Sequence, residues 1–220
     1  MYESNKNLVG NFSPYDGTID FYLRVNSLLK KDFTILDLGA GRAAWYDDGE
    51  CETSRSIRMI KGKVHKVIAA DIDKAVLYNK ASDEQIVFKD GKLSIDKNSI
   101  DIIVADYVLE HVENPKVFFE QINNCLKSDG WFCARTPHKY CYVAIVARIF
   151  KNSLHAPILK KVQPKREEVD IFPTTYKMNT LRSIKNIFYN WEDKSFLIRS
   201  EPSYYFGSKI IFKIQSFLHR

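Results

Sequence analysis

The chain has 220 residues, of which 45% are hydrophobic and 27% charged, proportions typical of a folded globular protein with one sizeable core. No run approaches the roughly 18 apolar residues of a transmembrane helix, and MYESNKNLVG lacks the apolar core of a signal peptide, so we expect a cytoplasmic protein. The net charge of +6 is uneven: residues 139–220 contain 15 Lys and Arg against 6 Asp and Glu, which indicates either an anionic partner or a solvated basic face.

Apolar runs alternate with amphipathic segments from residue 18 to residue 136. The amphipathic segments predict helices at 18–31, 53–63 and 114–127; the last begins with the capping residue Asn114 and ends at a turn over residues 128–130. The apolar runs predict buried strands at 33–38, 67–71, 85–88, 99–106 and 131–136. Buried strands alternating with helices predict an α/β fold with a mostly parallel central sheet and helices on both faces.

The pattern changes after Pro137. Helices are predicted at 139–150 and 178–190, a strand at 194–200, and a long basic, proline-marked segment at 151–177. The segment 208–220 has the pattern of an amphipathic helix, although IIFKI within it also suits a strand. As a helix it has one apolar side, formed by Ile210, Ile211, Ile214, Phe217 and Leu218.

The four cysteines form no C-x-x-C pair and have no nearby histidine cluster. This spacing argues against a structural zinc site and against a small disulfide framework. We therefore expect reduced thiols and no metal site.

The stretch ILDLGAGRAA, residues 35–44, fits a dinucleotide-binding pattern through Gly39, Gly41 and Ala44. Asp37 precedes the first glycine at the carboxyl end of a strand, where a bound pyrophosphate would meet a like charge. At about 4 Å and an effective dielectric of about 20 this repulsion is on the order of 4 kcal/mol. Moreover, Asp71 lies 30 residues after Gly41, whereas the ribose-binding acid of an NAD site is expected after about 20. The loop therefore favours a cofactor with an ammonium or sulfonium group.

Four segments in chain order, ILDLGAG, VIAADID, ADYVLEHV and LKSDGWFCARTP, closely resemble class I S-adenosylmethionine (SAM)-dependent methyltransferases. The likeness is to the small-molecule group typified by quinone-biosynthesis enzymes, and it covers about residues 33–137. It implies a Rossmann-like class I methyltransferase fold with SAM as the cofactor. In a single domain over residues 1–220, residues 33–137 would then form the cofactor-binding core and residues 138–220 a basic extension on the substrate side.

The resemblance also assigns roles by position. Asp37, Gly39 and Gly41 match the motif that cradles the methionine part of SAM. Asp71 matches the acid that accepts hydrogen bonds from both ribose hydroxyls, and Ile72 would lie beside the adenine.

Two further motifs complete the expected cofactor site. Asp90 and Gly91 resemble the loop that approaches the adenine amino group, although Asp90 also suits a solvated turn. Asp106 and Tyr107 open the motif that lines the reactive end of the cofactor, and residues 109–112 complete it.

The stretch at residues 43–64 is about ten residues longer than a compact member of this family would need. Its acidic and aromatic residues Trp45, Tyr46, Asp47 and Asp48 either fold over the cofactor or belong to a plain surface insertion.

Methyl transfer from a sulfonium is an in-line displacement, so positioning and exclusion of water carry much of the catalysis and a general base is optional. His111 and His138 are the candidate bases, against the alternative that each is a structural histidine. Aromatic and basic residues of the extension suit an acceptor such as a sugar, a nucleotide-sugar or a phosphorylated lipid, unless they form only an ordinary helix face and loop. They are Tyr140, Tyr142, Tyr176, Lys160, Lys161, Lys165 and Arg166.

The sequence thus favours a SAM-dependent methyltransferase acting on a small polar or amphiphilic acceptor, such as a surface glycan or a lipid-linked sugar precursor. The alternatives are an NAD(P)-dependent oxidoreductase and a SAM-binding protein without catalysis. A nucleic-acid acceptor is disfavoured because ADYVLEH lacks the (D/N/S)PP(Y/F) tetrapeptide of amino-methylating DNA enzymes. The terminal helix suits a membrane surface, its own domain or a second subunit, and the oligomeric state stays open.

Overall fold

The computed structural model describes residues 8–47, 51–141, 144, 173–202 and 208–218. The chain forms two compact units. Residues 18–109 and 114–136 make up the sheet unit, and residues 1–17, 110–113 and 137–220 make up the C-terminal unit.

A five-stranded parallel sheet forms the centre of the sheet unit, in the order β3-β2-β1-β4-β5. The central strands are buried on both faces, which explains their nearly continuous apolar sequences. The predicted α/β fold with a mostly parallel central sheet is confirmed. The strands are β1 (Thr34–Leu38), β2 (Lys66–Asp71), β3 (Glu84–Val87), β4 (Ile100–Asp106) and β5 (Leu126–Arg135).

Three helices belong to this part of the chain: α1 (Gly17–Leu28), α2 (Glu52–Arg58) and α3 (Pro115–Cys125). The predicted cap of α3 is present, because the Asn114 side chain accepts a hydrogen bond from the Val117 amide. Two apolar residues of these helices nevertheless face solvent, since Leu23 is 54% and Val117 45% exposed. Each lies roughly 100° around its helix from the centre of the buried stripe.

The predicted turn at residues 128–130 is instead an irregularity inside β5. Ile100 of β4 pairs with Leu126, but Ile102 pairs with Trp131, so β5 contains three more residues than its partner over this stretch. A Cβ atom on Gly130 would lie 2.9 Å from the Asp101 carbonyl oxygen, so only glycine fits the close approach of the two strands.

The C-terminal unit contains two described helices longer than one turn, α4 (Leu181–Ile187) and α5 (Lys209–Leu218). Thr180 and Ser183 form a capping box at the start of α4. Because α5 covers Lys209–Leu218, the helix interpretation of the terminal segment is confirmed over these residues. The predicted strand at 194–200 is wrong, because the described residues offer it no partner strand and Leu197 is 67% exposed.

The predicted helix at 139–150 lies mostly outside the described residues. Among the residues that the structure describes, no helix has the length and apolar content needed to cross a bilayer.

Candidate active site

Three aspartates lie at the carboxyl ends of neighbouring strands. Asp37 lies near the end of β1, and Asp71 and Asp106 are the last residues of β2 and β4, which flank it. The carboxyl edge of an open parallel sheet is where ligands bind. No three His, Cys, Asp or Glu side chains in the described part of the chain are grouped to hold a metal ion. The carboxyl edge of the sheet therefore brings three carboxylates close to the place where ligands of such sheets bind.

The carboxyl group of Asp37 has a pKa well above its ordinary value. Burial raises the pKa of its carboxyl group to about 7; the Arg58 guanidinium opposes this rise, and the Asp106 and Asp71 carboxylates add to it. A cation placed beside Asp37 would favour the ionised form and would be attracted to it. The site is thus suited to a ligand that brings a positive charge.

The glycine loop after β1 is fastened to β2. The Asp71 side chain accepts hydrogen bonds from the Gly41 amide through Oδ2 and from the Asp73 amide through Oδ1, both at 2.9 Å. The Gly39 amide donates to the Ala70 carbonyl oxygen at 2.7 Å. Asp71 is therefore first a support of the loop, with acceptor capacity left for ligand hydroxyls.

The loop also needs its first glycine for steric reasons. Gly39 has φ = 69°, in the left-handed region, and a Cβ atom there would lie 2.5 Å from Cγ2 of Val108. Gly41 has φ = 50°, and a Cβ atom added there would meet no heavy atom within 4 Å, so this glycine leaves room at the surface of the loop. The two glycines therefore serve different purposes, close packing at Gly39 and an open approach at Gly41.

Asp106 forms a buried ion pair with Arg135 of β5. The guanidinium donates Nε to Oδ1 at 2.7 Å and Nη2 to Oδ2 at 2.8 Å, and each side chain is only 10% exposed. Its Nη1 donates to Thr18 Oγ1 at 3.1 Å, and Cζ lies 4.7 Å from the centre of the Tyr107 ring. Arg135 thus neutralises Asp106 and supports Tyr107, whose φ is 60°.

The long stretch after the glycine loop packs against the sheet unit through cation–π contacts. The Arg58 Cζ lies 4.5 Å from the Trp45 ring centre and 5.4 Å from that of Tyr22. Asp47 pairs with Lys80 at 2.9 Å. The Tyr46 ring packs edge-on against Trp45, with ring centres 6.2 Å apart, whereas Asp48 lies outside the described residues.

The two places expected to approach the adenine, Ile72 and the Asp90-Gly91 pair, differ in exposure and in local backbone structure. Ile72, directly after β2, is 63% exposed, as an apolar contact for a base would be. Asp90 (φ = 51°) and Gly91 (φ = 71°) form the tip of a tight turn closed by hydrogen bonds between Lys89 and Lys92. The Asp-Gly pair is explained by this turn geometry, and its approach to adenine stays a prediction.

The two candidate bases, both in the C-terminal unit, use their rings differently. His111 Nδ1 lies 2.8 Å from the Pro173 carbonyl oxygen, so in the neutral ring Nδ1 carries the proton and Nε2 the lone pair. His138 Nδ1 accepts a hydrogen bond from the Tyr140 amide at 3.3 Å. The lone pair of His138 is therefore engaged by its own backbone segment.

A family model described as a methyltransferase domain matches residues 15–188. The chain belongs to this methyltransferase domain family. The match confirms the resemblance to class I SAM-dependent methyltransferases, and with it the enzyme class and the expected cofactor of that family.

Several solved structures are similar to the methyltransferase. A SAM-dependent methyltransferase from Aquifex aeolicus is 16% identical, with 78% of each chain covered and a TM-score of 0.47. A putative SAM-dependent methyltransferase from Methanococcus maripaludis is 17% identical, with 85% of this chain and 81% of that chain covered and a TM-score of 0.45. The YcgJ protein from Bacillus subtilis is 18% identical, with 55% of this chain and half of that chain covered and a TM-score of 0.42. No match was found among curated proteins.

The expected acceptor residues of the methyltransferase are only partly described. Tyr140 is exposed, whereas Tyr176 is buried, with φ = 51° and its amide donating to the Glu110 carbonyl oxygen. Tyr176 therefore has a structural setting. Tyr142, Lys160, Lys161, Lys165 and Arg166 lie outside the described residues.

Sequence reasoning missed three supports of the methyltransferase site. Arg135 and Arg58 gave no motif signal, because each acts through a partner distant in the chain. Asn79 donates from Nδ2 to the Gly41 carbonyl oxygen at 3.0 Å and accepts from the Ala81 amide at 2.9 Å. A buried Asn after a short turn resembles many capping residues, so only the fold shows its role.

Proposed function

We propose that this methyltransferase binds SAM at the carboxyl edge of its sheet and transfers the methyl group to a small polar or amphiphilic acceptor. The observation that carries the proposal is the position of Asp37, a half-buried carboxyl near the end of β1, beside the glycine loop and between the strands that end in Asp71 and Asp106. SAM brings an ammonium and a sulfonium to such a site, whereas a dinucleotide brings a pyrophosphate.

The cofactor roles follow from this placement. Asp37, Gly39 and Gly41 cradle the methionine end, where Asp37 attracts its positive charge. Asp71 accepts hydrogen bonds from the ribose with the acceptor capacity that the loop amides leave, and exposed Ile72 contacts the adenine.

The remaining cofactor contacts lie on three other segments. Asp90 and Gly91 approach the adenine amino group. Asp106, neutralised by Arg135, and Tyr107 line the reactive end. Residues 33–137 thus act as the cofactor-binding core of a single methyltransferase domain.

His111 is the better candidate for a general base. The Pro173 carbonyl oxygen holds the proton of the neutral ring on Nδ1, so the lone pair lies on Nε2, the atom proposed to accept a proton from the acceptor as the methyl is transferred. His138 is less suited because its Nδ1 already accepts from the Tyr140 amide.

The acceptor is a small amphiphilic molecule such as a surface glycan or a lipid-linked sugar precursor, bound by the extension 138–220. The exposed ring of Tyr140 suits a sugar face, and the charge balance of residues 139–220 suits phosphate groups. Tyr142 also belongs to this proposed acceptor side, whereas the buried Tyr176 supports it from beneath without contacting the acceptor.

Calorimetry tests the cofactor. Saturable binding of SAM and S-adenosylhomocysteine, and none of NADH, is expected for the full chain. Asp37→Ala is expected to lower SAM affinity at least roughly tenfold because the cation loses its counter-ion. Asp96→Ala, which removes an exposed acid of the same unit, is the matched control. Equal affinities of the two variants would remove Asp37 from the site.

Catalysis is tested separately, because a SAM-binding protein without catalysis would pass the calorimetry. The full chain is incubated with SAM labelled in the methyl group and with lipid-linked and free glycan fractions. Labelled product supports the enzyme, and its loss in His111→Gln but not in His138→Gln supports the proposed base. SAM binding without any labelled product would favour the non-catalytic alternative.

A further inference from the structure

The terminal helix α5 presents apolar side chains to solvent. Ile210 is 72%, Ile211 37% and Ile214 56% exposed, and helical spacing puts all three on one side. Lys209 and Lys213 occupy the adjacent side of the same helix. A helix with an exposed apolar stripe bordered by lysines is suited to lie in the plane of a lipid surface.

A second segment of the C-terminal unit also exposes apolar side chains. Phe196, Leu197 and Ile198 are 53%, 67% and 38% exposed, and they lie between Lys194, which pairs with Glu192, and Arg199. Single exposed apolar residues are ordinary, but six large ones in two short segments of one unit indicate an interaction surface.

The charge of α5 distinguishes between the occupants of such a surface. The charged residues of α5 are Lys209 and Lys213, and none of its residues is acidic. A second copy would bring the same excess of positive charge against it, whereas a membrane that contains anionic lipids would neutralise it. We propose that α5 docks this methyltransferase on an anionic lipid surface, with its isoleucines at the acyl boundary and its lysines at the phosphates.

Vesicle flotation of the full chain tests the docking. Binding to phosphatidylcholine vesicles containing phosphatidylglycerol is expected to exceed binding to pure phosphatidylcholine at least roughly tenfold, and to weaken as salt is raised. Ile210→Glu/Ile214→Glu is expected to abolish flotation. The matched control, Leu23→Glu/Leu77→Glu, makes the same change at two exposed leucines of the sheet unit and is expected to float like the wild type.

A second variant addresses the charge alone. Lys209→Glu/Lys213→Glu keeps the apolar stripe and is expected to lose the preference for anionic vesicles. Circular dichroism establishes that each variant is folded. The proposal is overturned if the wild type binds neither vesicle or both equally, or if the control variant loses flotation as well. It is also overturned if light scattering shows a dimer that only Ile210→Glu/Ile214→Glu dissociates, since the surface would then join two copies.

Discussion

We propose that Asp37 binds a cation, and such an acid destabilises the protein before the cation arrives. Burial raises the pKa of Asp37 from the usual 3.8 to about 7; the Arg58 guanidinium opposes this rise, and the neighbouring Asp106 and Asp71 carboxylates add to it. Ionised Asp37 is therefore unfavourable in the ligand-free fold and becomes favourable only with a positive charge beside it. Stability and binding at this residue have opposite requirements.

Asp37→Asn is expected to stabilise the ligand-free protein at pH 8. The raised pKa means that the folded state holds a proton that the unfolded state has lost, so wild-type stability falls as pH rises from about 4 to about 7. Three pKa units correspond to at most about 4 kcal/mol, and the amide removes this loss. Urea denaturation at pH 5 and pH 8 measures the free energy of unfolding of the wild type and of Asp37→Asn, with Asp96→Asn as the control. A variant less stable than the wild type at pH 8 would contradict the assignment.

The affinity for SAM is expected to depend on pH through the same residue. Below pH 7 the cation must displace a proton from Asp37, so affinity is expected to fall up to tenfold per pH unit and to level off above pH 7. Calorimetry at pH 6.5 in two buffers of different ionisation enthalpy would register the released proton. In Asp37→Asn both the slope and the proton release are expected to vanish; their persistence would assign the titration to another group.

Arg135 compensates the negative charge of Asp106 inside the protein. Arg135→Met is expected to lower the free energy of unfolding by about 3–5 kcal/mol, because it leaves a carboxylate buried without its bidentate partner. Arg135→Met/Asp106→Asn removes both charges and is expected to regain much of the loss. Thermal unfolding of the wild type and the two variants measures the difference. Equal losses in the single and double variants would show that packing, rather than the charge, dominates.

Among the elements, the glycine loop gives the sharpest structural test. Gly39→Ala is expected to destabilise the protein because of its positive φ and because its Cβ would lie 2.5 Å from Val108 Cγ2. Gly62→Ala is the matched control, since Gly62 has φ = 82° and nothing within 4 Å of the added atom. The control is expected to lose about 1–2 kcal/mol for backbone strain alone. The double variant Gly39→Ala/Val108→Ala is expected to recover only the part of the lost unfolding free energy that comes from the clash with Val108. Denaturant unfolding of the variants measures these differences.

The sequence predicted the elements of the sheet well because buried parallel strands are nearly continuous apolar runs, as in VIAAD and IDIIVAD. The sequence-based prediction was wrong where the structure of a segment depends on pairing with another strand. The segment 194–200 has strand-like residues, but no described strand pairs with it. β5 begins earlier than its apolar run because Leu126 pairs with Ile100 before the irregularity at residues 128–130.

The candidate site shows the same division. The placement of Asp37, Gly39 and Asp71 at the carboxyl edge of the sheet was predictable because the strand–loop pattern is local in the sequence, whereas their cofactor roles stay predictions. Arg135 was not predictable, because its meaning depends on the pairing of β5 with β4, which places it beside Asp106.

In the whole molecule, the proposed cofactor-binding residues lie in one unit, and the candidate bases and the proposed lipid-binding helix lie in the other. Asp37, Asp71, Asp106 and the glycine loop all belong to the sheet unit. His111, His138 and the proposed lipid-facing helix α5 belong to the C-terminal unit. This distribution predicts that cofactor binding and surface docking can be separated by mutation.

A chain shortened to residues 1–208 is expected to bind SAM with the affinity of the full chain and to lose flotation with anionic vesicles. All residues proposed to contact the cofactor lie before residue 108, whereas the deletion removes Lys209–Leu218 and with it the exposed isoleucines. Calorimetry and vesicle flotation on the same preparation measure the two properties, and thermal unfolding with and without S-adenosylhomocysteine establishes that the shortened chain still folds and is stabilised by ligand. A shortened chain that folds but binds SAM at least tenfold more weakly would make the helix part of the cofactor site, and one that still floats would place the lipid contact elsewhere in the chain.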